Sequence, residues 1–293
     1  MNQKFFLLCL ILIFLPACTQ SDESLLQPRE NITVHVMQVI GESIFIDTNG
    51  LDVLIDVGGG KRGGPQVVDY LKGMNQTNID IVIASHHHGD HIKGLGAVLD
   101  SINVTTILDN GVENADYFNL SKKNYQYYIS LAKRKDFIIA ERGQTYNLDN
   151  FTTLTILNPV QPLEFDDEND NSIVAKLTYG DVSFIFTGDC GKPCEESILK
   201  SGESIFKSGF DLSTDFLKIG HHGNIDSTGL IFLTTVNPKV AIINDGKSKN
   251  PKRPHPKVLD SLSRKNIAIY RTRIHDNIII KTNGKEYWIT TSK

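Results

Sequence analysis

The 293-residue chain is 40% hydrophobic and 22% charged, proportions of a folded protein that exclude wholesale disorder and fibrous repeats. Its formal net charge of −4 argues against a protein that coats nucleic acid regardless of sequence, which needs a broadly basic surface. The single Trp leaves no aromatic-rich ligand platform.

The first segment reads as a targeting signal. Lys4 is the only charge before position 22, Phe5 to Leu15 is an unbroken apolar run, and Pro16-Ala17-Cys18 follows. A charged start, an apolar stretch too short for a stable membrane helix and small residues at the end fit an export signal. Leu15-Pro16-Ala17-Cys18 resembles the lipobox of bacterial lipoproteins, which implies a signal peptide over 1–17 and lipidation of Cys18. Residues 18–30 then form a polar tether and 31–293 the folded domain. An ordinary secretory signal or an uncleaved anchor are the alternatives. Either signal places the domain outside the cytoplasm, and the lipid would hold it on a bacterial membrane.

Ile32 to Val39, Ser43 to Thr48 and Val53 to Val57 are short β-branched runs separated by turn residues, and Thr48-Asn49-Gly50 signals a hairpin. Gln66 to Lys72 predicts a short helix, Ile79 to Ala84 an apolar strand, a helix follows from about Leu95, and Val104 to Leu108 is another strand. Ser121 to Lys135 has helical character and a basic end. Phe151 to Leu157, Ser172 to Tyr179 and Val182 to Thr187 are strands, and Glu164 to Asp170 reads as a solvated acidic loop. Phe216 to Ile219 and Val240 to Asn244 are strands flanking a helical stretch near Leu230. Pro256 to Lys265 is helical, and Ile267 to Tyr270, Asn277 to Lys281 and Glu286 to Thr290 are closing strands. Strands come first, then strands alternating with helices, twice over. The expected fold is α+β, two sheets with helices outside in a four-layer αββα sandwich, with no internal linker dividing it.

Two other features carry weaker signals. Cys190 and Cys194 form a C-x3-C pair, which in an oxidising compartment is either a local disulfide or two free thiols. Gly58 to Gly64 suggests a phosphate cradle, but Lys61 is followed by Arg62 where a P-loop needs Ser or Thr. The glycines then serve close backbone passage beside the site, or form a mobile loop.

The chemistry concentrates in the histidines. Four of the nine lie in Ser85-His86-His87-His88-Gly89-Asp90-His91, and two more form His221-His222. The first run follows an apolar strand, and α/β proteins place their sites at strand carboxyl ends. Imidazole and carboxylate are ligands that zinc or manganese accepts, and this spacing can feed two adjacent ions.

Ser85 to His91 resembles the H-x-H-x-D-H signature of the metallo-β-lactamase-fold hydrolases. Leu54-Ile55-Asp56-Val57-Gly58-Gly59 is similar to the family's early strand, whose Asp supports the metal site from behind the ligands. Phe186-Thr187-Gly188-Asp189 resembles the strand whose Asp bridges both metals, and Lys218-Ile219-Gly220-His221-His222-Gly223 the last ligand strand. Asn169-Asp170-Asn171-Ser172-Ile173-Val174 and Arg253-Pro254-His255-Pro256-Lys257-Val258-Leu259 are similar to the hydrolase domain of ComEC-type DNA-uptake proteins and their free-standing relatives. Two departures stand out. No His lies between His91 and Asp189, where many members carry a third ligand of the first metal, and Asn171 falls in that region. Val36 to Ser43 also lacks the group's Asp and Gly-Gln-Gly-Asp turn.

The resemblance implies a cofactor of two divalent ions, zinc with manganese as the alternative. His86, His88 and Asp189 would hold one. Asp90, His91, Asp189 and either His221 or His222 would hold the other, with Asp56 orienting a ligand His. Paired ions lower the pKa of a shared water toward neutrality, so the implied function is hydrolysis, with Asp90 in the catalytic machinery. Lys247, Lys249, Lys252, Arg253 and Lys257 flank His255. Folded over the metals, this stretch would supply positive charge for a phosphate from Lys247 and Arg253, and His255 could protonate a leaving oxygen; as a solvated loop it would leave His255 capping the next helix. The basic stretch favours a phosphodiester or other small ester as substrate, without a stable nucleic-acid complex. A non-catalytic lipoprotein that keeps the fold, and a lactonase or β-lactamase, are the alternatives.

Overall fold

Short β-branched strands build the amino-terminal sheet, and their period of two decides which side chains meet the core. The computed structural model describes residues 30–113, 116, 120–202, 210–246 and 252–293. The expected signal segment, Cys18 with its expected lipidation, Lys247 and Lys249 lie outside the described residues. Among the described residues no helix is long and apolar enough to cross a membrane.

In chain order the first half contains β1 (Ile32–Val36), β2 (Ile44–Asp47), β3 (Val53–Ile55), α1 (Gly60–Gly73), β4 (Asn78–Ala84), α2 (Gly89–Ile92), α3 (Leu95–Leu99), β5 (Asn103–Asp109), α4 (Lys122–Ala132) and β6 (Asp136–Ile139). The second half contains β7 (Thr145–Asn147), β8 (Thr152–Asn158), β9 (Val174–Tyr179), β10 (Val182–Phe186), α5 (Lys192–Gly202), β11 (Phe216–Lys218), α6 (Leu230–Val236), β12 (Val240–Ile243), α7 (Pro256–Arg264), β13 (Ala268–Arg271) and α8 (Thr272–His275). β14 (Ile278–Thr282) and β15 (Tyr287–Thr291) close the chain.

The strands form an eight-stranded sheet, β15-β14-β1-β2-β3-β4-β5-β6, and a seven-stranded sheet, β13-β12-β11-β10-β9-β8-β7. Alternate side chains of both, such as Val34, Ile44, Ile83, Leu177, Phe184 and Phe216, share one apolar layer between the sheets. The opposite face of the first sheet packs Phe45, Leu54 and Val82 against Val67, Val98 and Tyr128 of the helices. The second sheet does the same with Ile185, Leu217 and Ile243 against Ile198, Leu233 and Leu262. These are the four layers of an αββα sandwich, each buried aliphatic or Phe side chain contributing about 1.5–3 kcal/mol.

The topology places the site. β3, β4, β5 and β6 run parallel in the first sheet, and β10, β11, β12 and β13 run parallel in the second. Asp56 follows β3, the His-rich run follows β4, Asp189 follows β10 and His221-His222 follows β11, so carboxyl ends from both sheets open onto one edge of the sandwich.

Several expectations are corrected. α1 begins at Gly60, not Gln66: glycines and Pro65 argue against a helix locally, but packing overrides propensity. A Cβ on Gly64 would stand 2.6 Å from the Gly94 Cα, so glycine there lets α1 close on the segment before α3, and the Gly run is not a mobile loop. β6, β7, α5 and α8 were not anticipated. Glu164 to Asp170 is not a solvated loop, because Glu168 and Asp170 are buried. Cys190 and Cys194 are joined by a disulfide and are buried.

Candidate metal centre

Asp56 follows β3 with a positive φ of 59°, a backbone state that a non-glycine residue adopts only when its surroundings impose it. Its Oδ1 accepts from the Ser85 backbone N–H and its Oδ2 from the Ser85 hydroxyl, both at 2.8 Å. Asp56 Oδ2 also lies 2.7 Å from His91 Nδ1, which fixes the imidazole with Nε2 facing the interior. His91 Nε2 is 3.5 Å from Asp189 Oδ2 and 3.9 Å from Asp90 Oδ2. His86 Nε2 stands 3.8 Å from Asp189 Oδ2 and 3.1 Å from His88 Nδ1. His87, between them, points away: its Nε2 meets Asp109 Oδ2 at 2.7 Å.

The structure separates the two histidines after β11. His222 Nδ1 donates to the Asn244 carbonyl at 2.6 Å, leaving Nε2 toward Asp90 Oδ2 at 3.5 Å and Asp189 Oδ1 at 3.7 Å. His221 Nε2, 3.7 Å from Asp189 Oδ2, accepts instead from the Arg253 guanidinium at 2.6 Å, and its Nδ1 faces Asp226 Oδ1 at 3.1 Å. Both residues have positive φ, 48° and 54°, a strained pair that turns the two rings to different tasks.

Three further residues escaped the sequence reading. Glu42 and Lys218 are both buried, with Lys218 Nζ 2.7 Å from Glu42 Oε2. Lys218 Nζ also donates to the Gly188 carbonyl at 2.6 Å, directly before Asp189, and Glu42 Oε2 lies 3.5 Å from His222 Nδ1. Glu168 Oε1 accepts from the His87 backbone N–H at 2.6 Å. The only signal for Lys218 and Glu42 was a lone charge next to an apolar strand.

Asn171, expected behind the metal ligands, supports the turn that carries Glu168 and Asn169. Its Nδ2 donates to the Phe165 and Asp167 carbonyls, bracing the 3-10 turn Glu168–Asn171, and it is Asn169 Oδ1 that reaches His88 Nδ1, at 2.9 Å. His255 caps α7, its Nδ1 accepting from the Lys257 N–H at 3.2 Å, and it is not among the residues that line the cavity opening onto the cluster.

A cavity of about 490 Å³ opens onto the cluster, lined by Arg62, Gln66, Asp90, His222, Asn244 and Arg253 among others. Its wall requires close backbone approach, since a Cβ on Gly59 would stand 2.7 Å from the Asp90 Cα.

The residues fit divalent cations. His91 Nε2, His222 Nε2 and Asp189 Oδ1 are buried without a hydrogen-bond partner, although buried polar atoms are ordinarily paired. The electrostatics agree. Burial and the neighbouring His91 hold His86 well below the usual imidazole range, the neutral form a metal needs. Burial pushes His91 the same way, yet Asp189, Asp56 and Asp90 outweigh it and hold it well above that range. At His91 the surrounding carboxylates therefore outweigh burial, an environment that favours a cation.

The Metallo-beta-lactamase superfamily model matches residues 37–243. The chain belongs to the metallo-β-lactamase superfamily. It is 28% identical over 213 residues to ComE operon protein 3 of Bacillus subtilis (strain 168), covering 72% of this chain and 25% of that protein. It is 27% identical over 242 residues to Recombination protein 2 of Haemophilus influenzae, covering 81% of this chain and 27% of that protein. The chain therefore spans about a quarter of the length of these curated relatives. Among solved structures, a CmlA beta-hydroxylase mutant has a TM-score of 0.56 over 87% of this chain and 55% of that one, at 11% identity, a likeness of fold alone.

The loop that carries Asp226 to His221 has its own support. Glu195 accepts from the Thr228 and Gly229 N–H groups at 2.5 and 2.7 Å. Burial pushes its carboxyl up to about 7, those two hydrogen bonds and Lys192 opposing and Asp170 adding to the rise. A folded pKa above the ordinary 4.5 means the folded protein binds the extra proton, so stability is greatest below the lower value and falls as pH rises from there to about 7. Urea unfolding of the wild type should lose up to about 3 kcal/mol across that window relative to Glu195→Gln. Parallel pH profiles of the two proteins would contradict the assignment.

Proposed function

We propose that the chain is a two-metal hydrolase of phosphodiesters, held outside the cytoplasm by a lipid on Cys18, at the periplasmic face of a bacterial membrane or at the cell surface. His86, His88 and Asp189 would hold one ion, and Asp90, His91, Asp189 and His222 the other, with zinc or manganese as the metal. Bound there, the pair supplies Lewis acidity and an activated water at neutral pH. The chain's own residues do the rest. Asp56 and the Asn244 carbonyl fix the ring orientations of His91 and His222, as partners behind metal-ligating imidazoles do. Lys218 holds the backbone that carries Asp189.

The observation that carries the phosphodiester reading is the placement of Arg253. One guanidinium nitrogen is spent on His221, while its buried Nε has no partner and the side chain lines the cavity beside Asp90 and His222. A guanidinium has five N–H donors in a planar fork suited to phosphate oxygens, and Arg62 enters the same cavity from α1. Relatives named for competence and recombination agree with a nucleic-acid phosphodiester, and the net charge of −4 disfavours a tight complex with long duplex DNA.

The test is a hydrolase screen of the chain loaded with zinc or manganese, using bis-p-nitrophenyl phosphate, a lactone and a chromogenic cephalosporin. Diester hydrolysis that EDTA abolishes is expected. Arg253→Ala should raise KM for the diester on the order of tenfold, the loss of one charge-assisted contact. Turnover of the lactone or cephalosporin with none of the diester would overturn the substrate class, and no turnover of any substrate would favour a binding lipoprotein that keeps the fold.

A further inference from the structure

The first metal position is short of ligands. No His lies between His91 and Asp189, so that stretch supplies no imidazole to join His86 and His88. The 3-10 turn Glu168–Asn171 borders this gap. Its Glu168 is divided in use. Oε1 is engaged, accepting from the His87 N–H at 2.6 Å and from Asn110 Nδ2 at 3.1 Å. Oε2 is buried and has no hydrogen-bond partner, and it lies 4.0 Å from His88 Nδ1. Ligand atoms of His86, His88 and Glu168 all fall within 4.8 Å of one another, as do those of His86, His91 and Asp189.

We propose that the Glu168 carboxylate is the missing ligand of the first metal ion, its Oε1 anchoring the side chain to the His-rich run and its Oε2 binding the ion. This rests on the two-metal reading of the site. The rest of the turn is committed elsewhere. Asp170 Oδ1 accepts from the Gly191 N–H at 2.9 Å, and Asn171 braces the turn itself. Asn169 Oδ1 also reaches His88, but it is neutral and half-buried, whereas Glu168 is a buried carboxyl whose Oε2 lacks any hydrogen-bond partner, an orphan that a cation would satisfy. Two imidazoles with two carboxylates make a harder donor set than three imidazoles, so the first position accepts manganese more readily than an all-histidine site would.

The experiment counts ions, not turnover. The wild type, Glu168→Gln and Asn169→Ala are stripped with chelator, reloaded with manganese or zinc, and their bound metal measured by elemental analysis. The wild type and Asn169→Ala should hold two equivalents and Glu168→Gln one, the metal-free variants melting close to the metal-free wild type. Two equivalents in Glu168→Gln with unchanged affinity, or the loss of one in Asn169→Ala alone, overturns the proposal. Because Glu168→Gln could disturb the turn, the manganese-loaded wild type provides a second measurement. Anomalous scattering should place an ion between His86 and His88 with a Glu168 oxygen at about 2.0–2.2 Å. An ion there with Glu168 outside bonding distance overturns the proposal. A wild type that binds two ions through Glu168 but cleaves no diester sinks the proposed function and supports this assignment, and one that binds no metal sinks both.

Discussion

Asp189→Asn should leave the metal-stripped protein folded and lower kcat/KM on any substrate of the chain by on the order of 10³-fold or more, the scale at which a single electrostatic contributor to a transition state is lost. Asp189 is a carboxylate that faces imidazoles from both His-bearing segments. Its Oδ2 lies 3.8 Å from His86 Nε2, 3.5 Å from His91 Nε2 and 3.7 Å from His221 Nε2, and its Oδ1 3.7 Å from His222 Nε2. Burial raises its carboxyl, but His222, His91 and His86 outweigh that and hold it well below the usual range, so it is ionised at any pH where the protein works. Asn keeps the volume and removes the charge that the two ions would share. Steady-state kinetics with metal analysis of the same preparation checks this. Normal turnover with two ions bound would show that Asp189 does not bridge.

Lys218→Met should be the most destabilising substitution near the site. Lys218 and Glu42 are each 1% exposed, so removing the cation leaves a carboxylate buried without its partner, at a cost of about 3–5 kcal/mol. Burial raises the Glu42 carboxyl and Lys218 is the largest influence opposing it, so the variant's Glu42 should take up a proton at higher pH than in the wild type. The same substitution removes the donor to the Gly188 carbonyl and loosens the backbone before Asp189. Pairing it with Glu42→Gln should recover much of the stability, because the uncompensated charge is then gone. Urea unfolding of metal-free single and double variants measures both effects. A single variant within about 0.5 kcal/mol of wild type, the range of ordinary surface substitutions, would mean the pair does not support the site.

The parts of the centre legible in the sequence are those in which one short run carries both fold and chemistry. His86, His88, Asp90 and His91 follow a strand whose apolar pattern is plain, and Asp56 and Asp189 sit at the ends of two others. Glu42 and Lys218 were not legible because each looks like a lone surface charge until β11 and the loop after β1 are brought together. Glu168 was hidden for the opposite reason: in an acidic run it reads as solvated, and only the folded turn turns it inward while Asp166 and Asp167 stay exposed. His221 and His222 could not be told apart from their order, since the difference lies in a pair of left-handed backbone torsions and in partners, Asn244 and Arg253, that arrive from later in the chain. The same held for helix and strand limits. α1 starts among glycines because its packing against the Gly94 segment needs them, and β6 and β7 are short, largely exposed strands at the edges of their sheets with little apolar pattern to announce them.

The central claim is that these side chains form a paired-cation centre. Metal titration of the chelator-stripped chain, followed by elemental analysis after dialysis, tests it most directly. Two equivalents of zinc or manganese per chain are predicted, with fewer in Asp189→Asn. A stripped chain that retains no ion, or one whose uptake is the same with and without the Asp189 carboxylate, would contradict the account.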